Sequence, residues 1–117
     1  MKVDFYRFGE IGIDGNVYTN DLIIHKGHII ENWWRRRGHF LEEEDIVKYI
    51  GSNWKKGIDT VIIGKGANGL MDVSEKLIMS IEMNNMKYFL EKSDMACKRF
   101  NDIENKEKTL FLIHLTC

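Results

Sequence analysis

Thr60-Val61-Ile62-Ile63-Gly64-Lys65-Gly66-Ala67-Asn68-Gly69 sets an apolar, β-favouring run directly before a glycine-rich turn. Such a run, bounded by a breaker, reads as a buried strand, and the turn at its carboxyl end lies where open α/β sheets bind small ligands. The letters 64–69 satisfy G-x-G-x-x-G, the spacing by which a dinucleotide fold brings backbone N–H groups against a pyrophosphate.

Downstream of this turn, Asp72 or Ser74 is placed to cap a helix that carries Leu77, Ile78 and Ile81 toward a core. A short strand, Lys87-Tyr88-Phe89-Leu90, follows. Ser93-Asp94 reads as the capping pair of a further helix with Ala96, Cys97, Phe100 and Ile103 as its apolar stripe. After a solvated turn at 104–108, the run Thr109-Leu110-Phe111-Leu112-Ile113-His114-Leu115-Thr116-Cys117 is apolar enough to be a central strand covered on both faces. The second half of the chain is therefore β-α-β-α-β.

The first half has a different period. Asp14-Gly15 can take the positive φ values of a two-residue hairpin, joining a strand over 5–13 to one over 17–24, and Lys26-Gly27 supplies a second turn before a strand over 28–34. A three-stranded antiparallel meander results. Leu41, Ile46, Tyr49, Ile50 and Trp54 then share one helical face, acidic residues at 42–45 suit the start of that helix, and Lys55-Lys56-Gly57 suits its end. A mixed sheet flanked by helices, with antiparallel strands at the N-terminus, satisfies both halves.

The chain has 117 residues and 44% hydrophobic content, enough for one domain, 1–117, with its own core. A formal net charge of −1 argues against a general nucleic-acid or membrane-surface binder, and no apolar stretch is long enough to span a bilayer. Cys97 and Cys117, the only cysteines, are too few for a disulfide framework. With no export signal at the N-terminus, the expectation is a cytoplasmic protein with reduced thiols.

Two segments concentrate chemistry. In the glycine loop, Lys65 is the candidate for anion charge, while Gly64, Gly66 and Gly69 would supply close backbone approach. The nucleotide reading is only half supported, because the best cap signals, Asp72 and Ser74, come after Gly69 rather than inside the motif. Trp33-Trp34-Arg35-Arg36-Arg37-Gly38-His39 joins aromatic and cationic character, which suits an anion site or an RNA-stacking platform, the latter disfavoured by the near-zero net charge. A strand end with one Trp in the core, the other covered by a neighbouring layer, and arginines solvated or paired with residues 42–45 is the plainer reading. His114 and Cys117, three residues apart on a strand, would point to opposite faces, so no metal site is expected there. His39 and His114 are candidate acid/base groups without a partner fixed by the sequence, and no cofactor is implied.

Several pieces taken in order resemble the small Mth-type domain family of unknown function, which includes a mitochondrial assembly factor of the NADH dehydrogenase complex. They are Phe8-Gly9-Glu10-Ile11 leading to Asp14-Gly15 and Tyr18, then Asp21-Leu22-Ile23-Ile24, Trp33-Trp34 with Gly38-His39, the stretch 62–69, Ser93-x-x-Ala96-x-x-x-Phe100-Asn101, and His114-Leu115-Thr116-Cys117. The resemblance spans nearly the whole chain. It implies a compact three-layer α/β domain and no established catalysis. Because the chain starts directly at the domain, without an Arg- and Ser-rich presequence, a role in mitochondrial complex assembly is not expected to transfer.

The expected function is a protein-interaction or small-anion-binding module, more a binder than an enzyme. The alternative is an enzyme that handles a phosphorylated or nucleotide-like metabolite through loop 64–69. The expected surface combines Gly64, Lys65, Gly66, Asn68 and Gly69 with Trp34, Arg35, His39, His114 and Thr116. A protein partner, a small anion or a second copy in a homodimer would occupy it, with no nucleic acid and no membrane.

Overall fold

Positive φ at Gly9, at Asp14 and Gly15, and at Lys26 and Gly27 sets three tight turns near the N-terminus of the computed structural model, which describes residues 1–117. The first two turns fold β1 (Val3–Arg7), β2 (Glu10–Ile13) and β3 (Asn16–Tyr18) into a small antiparallel sheet. The third joins β4 (Leu22–His25) to β5 (His28–Ile30). Instead of one strand over 17–24 there are two, in different sheets, because residues 19–21 leave the ladder and Asp21 turns its carboxylate to the far end of the chain. The strand expected over 28–34 stops at Ile30, and Asn32 adopts φ 57° immediately beyond it.

The remaining elements are β6 (Phe40–Leu41), α1 (Glu44–Ile50), β7 (Thr60–Lys65), β8 (Asp72–Val73), α2 (Glu75–Met83), β9 (Lys87–Glu91), α3 (Ser93–Asp102) and β10 (Thr109–His114). The helix expected to carry both Leu41 and Trp54 is shorter than their spacing suggested. Leu41 pairs with Val73 in the two-stranded β6–β8 sheet, Gly51 at φ 115° ends α1, and Trp54 reaches the core from the turns that follow.

The main sheet has the order β5-β4-β10-β7-β9. The central strand β10 pairs in parallel with β7 and antiparallel with β4, so the sheet is mixed. Alternation along β10 serves two cores, since successive strand side chains point to opposite faces. Leu110 and Leu112 join Ile23, Ile63, Trp33, Trp54 and residues of α1 and α2 on one face. Phe111 and Ile113 meet Ile24, Ile62, α3 and the β1–β2–β3 sheet on the other, where the Phe111 ring stacks on Phe100 at 4.8 Å between centroids. Each such fully buried large side chain contributes about 1.5–3 kcal/mol. The result is the three-layer α/β architecture with a mixed sheet and N-terminal antiparallel strands. No helix is long and apolar enough to cross a membrane.

No helix begins inside the glycine motif. β8 intervenes, and α2 starts at Glu75 with Ser74 in the N-cap position. The last strand ends at His114, because residues 115–117 peel away from the sheet to bond with three other parts of the chain.

Candidate functional site

The antiparallel pairing of Ile113 with Leu22 places Asp21 and His114 opposite one another, just past the paired ends of β4 and β10. Asp21 Oδ2 lies 2.7 Å from His114 Nδ1, and Asp21 Oδ1 accepts the Leu115 amide at 2.7 Å. The backbone carbonyl of Asp21 accepts the Trp33 N–H at 2.9 Å, which draws segment 33–39 over the same strand ends. Trp33 anchors that segment: its ring is fully buried and its indole donates to the Asp45 carbonyl at 3.0 Å.

Arg35 crosses the Trp33 ring with its guanidinium carbon 4.7 Å from the centroid, a favourable place for a cation on an aromatic face. Its Nη2 donates to Asp21 Oδ2 at 2.8 Å, and Nε and Nη2 both donate to the Gly38 carbonyl, at 3.0 and 2.9 Å. Although its side chain is only 4% exposed, Nη1 is buried and has no hydrogen-bond partner in the chain.

The protonation pattern follows from geometry. Arg35 Nη2 also lies 3.1 Å from His114 Nδ1, but a guanidinium can only donate, and one ring nitrogen cannot both donate and accept. The shorter contact to the carboxylate decides: Nδ1–H donates to Asp21 and Arg35 donates to the same oxygen, which leaves Nε2 on the Thr116 side of the ring. The Thr116 hydroxyl lies 3.5 Å from Nε2, and the His39 ring is edge-on to His114 at 5.7 Å between centroids. Burial alone would push the Asp21 carboxyl up, but the His114 hydrogen bond, the Leu115 amide and the Arg35 charge together hold it below the ordinary aspartate range.

These groups line a cleft of about 240 Å³ formed by Thr19, Asn20, Asp21, Trp34, Arg35, Gly38, His39 and residues 114–116. Five residues singled out from sequence, Trp34, Arg35, His39, His114 and Thr116, therefore converge. Trp34 is not covered by a neighbouring layer as expected: it is 62% exposed at the rim. The sequence reading missed Thr19, Asn20 and Asp21, which it had placed within a strand. The available signal was an aspartate after Thr-Asn, inside an otherwise β-favouring run.

Gly64, Lys65, Gly66, Asn68 and Gly69 do not line this cleft. The glycine loop instead clasps segment 115–117 from the side. Ala67 N donates to the Thr116 carbonyl at 2.6 Å, and Leu70 N donates to the Cys117 carbonyl at 3.1 Å. Gly66 N donates to Ser93 Oγ at 2.9 Å, and Ser93 Oγ in turn donates to the His114 carbonyl at 2.5 Å. The amides of Gly69 and Met71 bond back to Gly66 and Lys65. With five amides spent on the chain, the loop's glycines serve close approach: at Gly66, φ 100°, a Cβ would fall on the Cys117 carbonyl carbon. Ser93, expected as a helix cap, opens α3 as its first residue and spends its hydroxyl on this clasp. Leu115 is fixed from the other side as well, its carbonyl accepting from Gly9 N at 2.9 Å and from the Tyr6 hydroxyl at 2.7 Å. No three His, Cys, Asp or Glu side chains converge as a metal cage.

Residues 3–113 match the family described as protein of unknown function (DUF498/DUF598), and the chain belongs to that family. No curated protein is significantly similar. Among solved structures, the conserved hypothetical protein PH1505 from Pyrococcus horikoshii OT3 is 25% identical, with a TM-score of 0.80 over 100% of both chains. MT938 is 20% identical with a TM-score of 0.69, covering 99% of this chain and 98% of its own. An outer membrane protein from Bartonella henselae is 17% identical with a TM-score of 0.77, covering 98% of this chain and 94% of its own. The latter two show a shared fold.

Proposed function

We propose that this chain is a small-anion-binding module whose site is the cleft of Arg35, His39, His114 and Thr116, with Trp34 at its rim. The observation that carries the reading is Arg35: a buried guanidinium in the wall of a cleft, with one nitrogen left without a partner in the chain. Buried polar nitrogens are ordinarily satisfied, and an arginine fork matches a phosphate or carboxylate. Both Asp21 oxygens are already engaged, so the cleft adds imidazole, hydroxyl and amide groups to the arginine. At about 240 Å³ the space lies below the range of about 300–1,000 Å³ typical for drug-sized ligands, which supports a phosphate- or small-carboxylate-sized occupant over a dinucleotide. The glycine-loop enzyme alternative loses support, because the amides of Gly66, Ala67 and Gly69 bond within the chain.

Thermal unfolding with phosphate, sulfate and acetate tests the proposal. An anion at tenfold its dissociation constant adds about 1.4 kcal/mol, or about 5 °C for a domain of this size. Phosphate is expected to raise Tm and Arg35→Gln to remove the rise. No effect of any of the three beyond a chloride control of equal ionic strength overturns the reading.

A second reading, a protein-interaction role of the kind the Mth-type resemblance implies, draws its support from Trp34, a large aromatic left 62% exposed beside the cleft. One domain over 1–117 and a cytoplasmic setting fit the two unpaired cysteines. Capture of a partner or a second copy that is lost in Trp34→Ala, with the fold intact, would favour this reading.

A further inference from the structure

We propose that Thr116, His114 and Asp21 form a nucleophile, base and positioning residue that give the cleft acyl-transfer activity on small esters. This rests on the reading of the cleft as a binding site. The three groups stand in sequence: Thr116 Oγ1 is 3.5 Å from His114 Nε2, and His114 Nδ1 is 2.7 Å from the partly buried Asp21 carboxylate. A hydroxyl, an imidazole and an orienting acid in that order activate an alcohol that is otherwise a weak nucleophile, and the first contact is commonly loose before substrate binds. The Nδ1–H bond to Asp21 is the arrangement the relay requires, because it turns Nε2 toward the hydroxyl.

The reading also gives the glycine loop a purpose. Ala67 N holds the Thr116 carbonyl at 2.6 Å, and Ser93 Oγ holds that of His114 at 2.5 Å. The loop and Ser93 are positioning elements that fix the backbone on which base and nucleophile stand.

In the first step Oγ1 bonds to the ester carbonyl carbon while its proton passes to His114 Nε2. The carbon–oxygen bond to the leaving alcohol then breaks, and the alcohol takes that proton. Water, the second reactant, attacks the acyl-threonine with His114 again accepting the proton. The acyl–Oγ1 bond breaks, the acid leaves, and the hydroxyl is restored.

An alkyl fluorophosphonate tests the relay: Oγ1 bonds to phosphorus, the P–F bond breaks, fluoride leaves and the proton goes to His114. Peptide mass spectrometry is expected to place one adduct on Thr116, retained in Thr116→Ser, absent in Thr116→Val, and slowed at least about tenfold in His114→Gln. For Asp21, 15N shifts of the His114 ring are expected to move toward the other tautomer in folded Asp21→Asn and labelling of Thr116 to slow with them by at least about tenfold; labelling at the wild-type rate with the tautomer changed overturns the positioning role. No Thr116 adduct in the wild type, or equal labelling in the Thr116→Val control, overturns the proposal; these two arms suffice if His114→Gln fails to fold. Labelling without a phosphate-induced rise in Tm leaves the relay standing and removes the anion reading. A Tm rise without labelling does the reverse.

Discussion

Replacing Asp21 by asparagine removes the charge around which the cleft is built. Asparagine can still accept from the Leu115 amide, and His114 can change tautomer to accept from the new amide, so two of the three side-chain contacts find substitutes. Arg35 does not: its side chain is 4% exposed, and after the substitution it keeps the Gly38 carbonyl but no anion. Breaking a buried ion pair by removing one partner costs about 3–5 kcal/mol, and the surviving Gly38 bonds place this case near about 3. For a chain of 117 residues that is about 12 °C in Tm. A pH signature accompanies it. Because the folded state holds the Asp21 carboxyl below its ordinary value of 3.8, the unfolded chain binds this proton first as pH falls. The contribution of Asp21 is thus fully present above that value and is lost as pH drops through the lower, folded one. Urea denaturation of both proteins at neutral pH and through the acid range checks this. The stability gap is expected to be widest at neutral pH and to narrow in acid. A variant within about 1 kcal/mol of wild type at neutral pH, or a gap that widens in acid, refutes the reasoning.

Three other substitutions and one reactivity probe the surrounding frame. Ser93→Ala orphans the buried Gly66 N–H and His114 carbonyl together and is expected to cost about 2–4 kcal/mol by urea denaturation. Gly66→Ala combines a φ of 100° with a Cβ 2.7 Å from the Thr116 carbonyl oxygen, so a loss of about 2–4 kcal/mol is expected. Gly38→Ala, with nothing within 4 Å of the new methyl, is expected to stay within about 0.5 kcal/mol of wild type. Burial, with the Asp94 charge adding to it, pushes the Cys97 thiol up to about 12, so Ellman's reagent is expected to count one thiol, Cys117, in the native protein and two after unfolding.

The elements legible in the sequence were those whose signal is local. β7 and β10 are uninterrupted apolar runs, the stripe of α3 has helical period, and Asp14-Gly15 and Lys26-Gly27 form the turns their residues favour. What could not be read depends on partners remote in the chain. Residues 19–21 look like strand until one knows that Asp21 meets His114, 93 residues away. Leu41 and Trp54 fall on a helical spacing by coincidence, because β8 claims Leu41 and Gly51 stops α1. The cleft shows the same division. Aromatic, cationic and imidazole residues marked Trp34, Arg35, His39 and His114, but nothing local marked Asp21 as the acid that joins them. The glycine motif misled in a specific way. Glycine permits close backbone approach whatever approaches, and here it is segment 115–117 of the same chain rather than a pyrophosphate.

The central claim, that the Arg35 cleft receives a small anion, is met most directly by titrating 15N-labelled protein with inorganic phosphate at constant ionic strength. Saturable shifts confined to the Trp34 indole N–H, the Arg35 guanidinium and the Leu115 amide are predicted, and their loss in Arg35→Gln. Shifts that centre instead on the amides of loop 64–69, or no saturable shift anywhere, would contradict it.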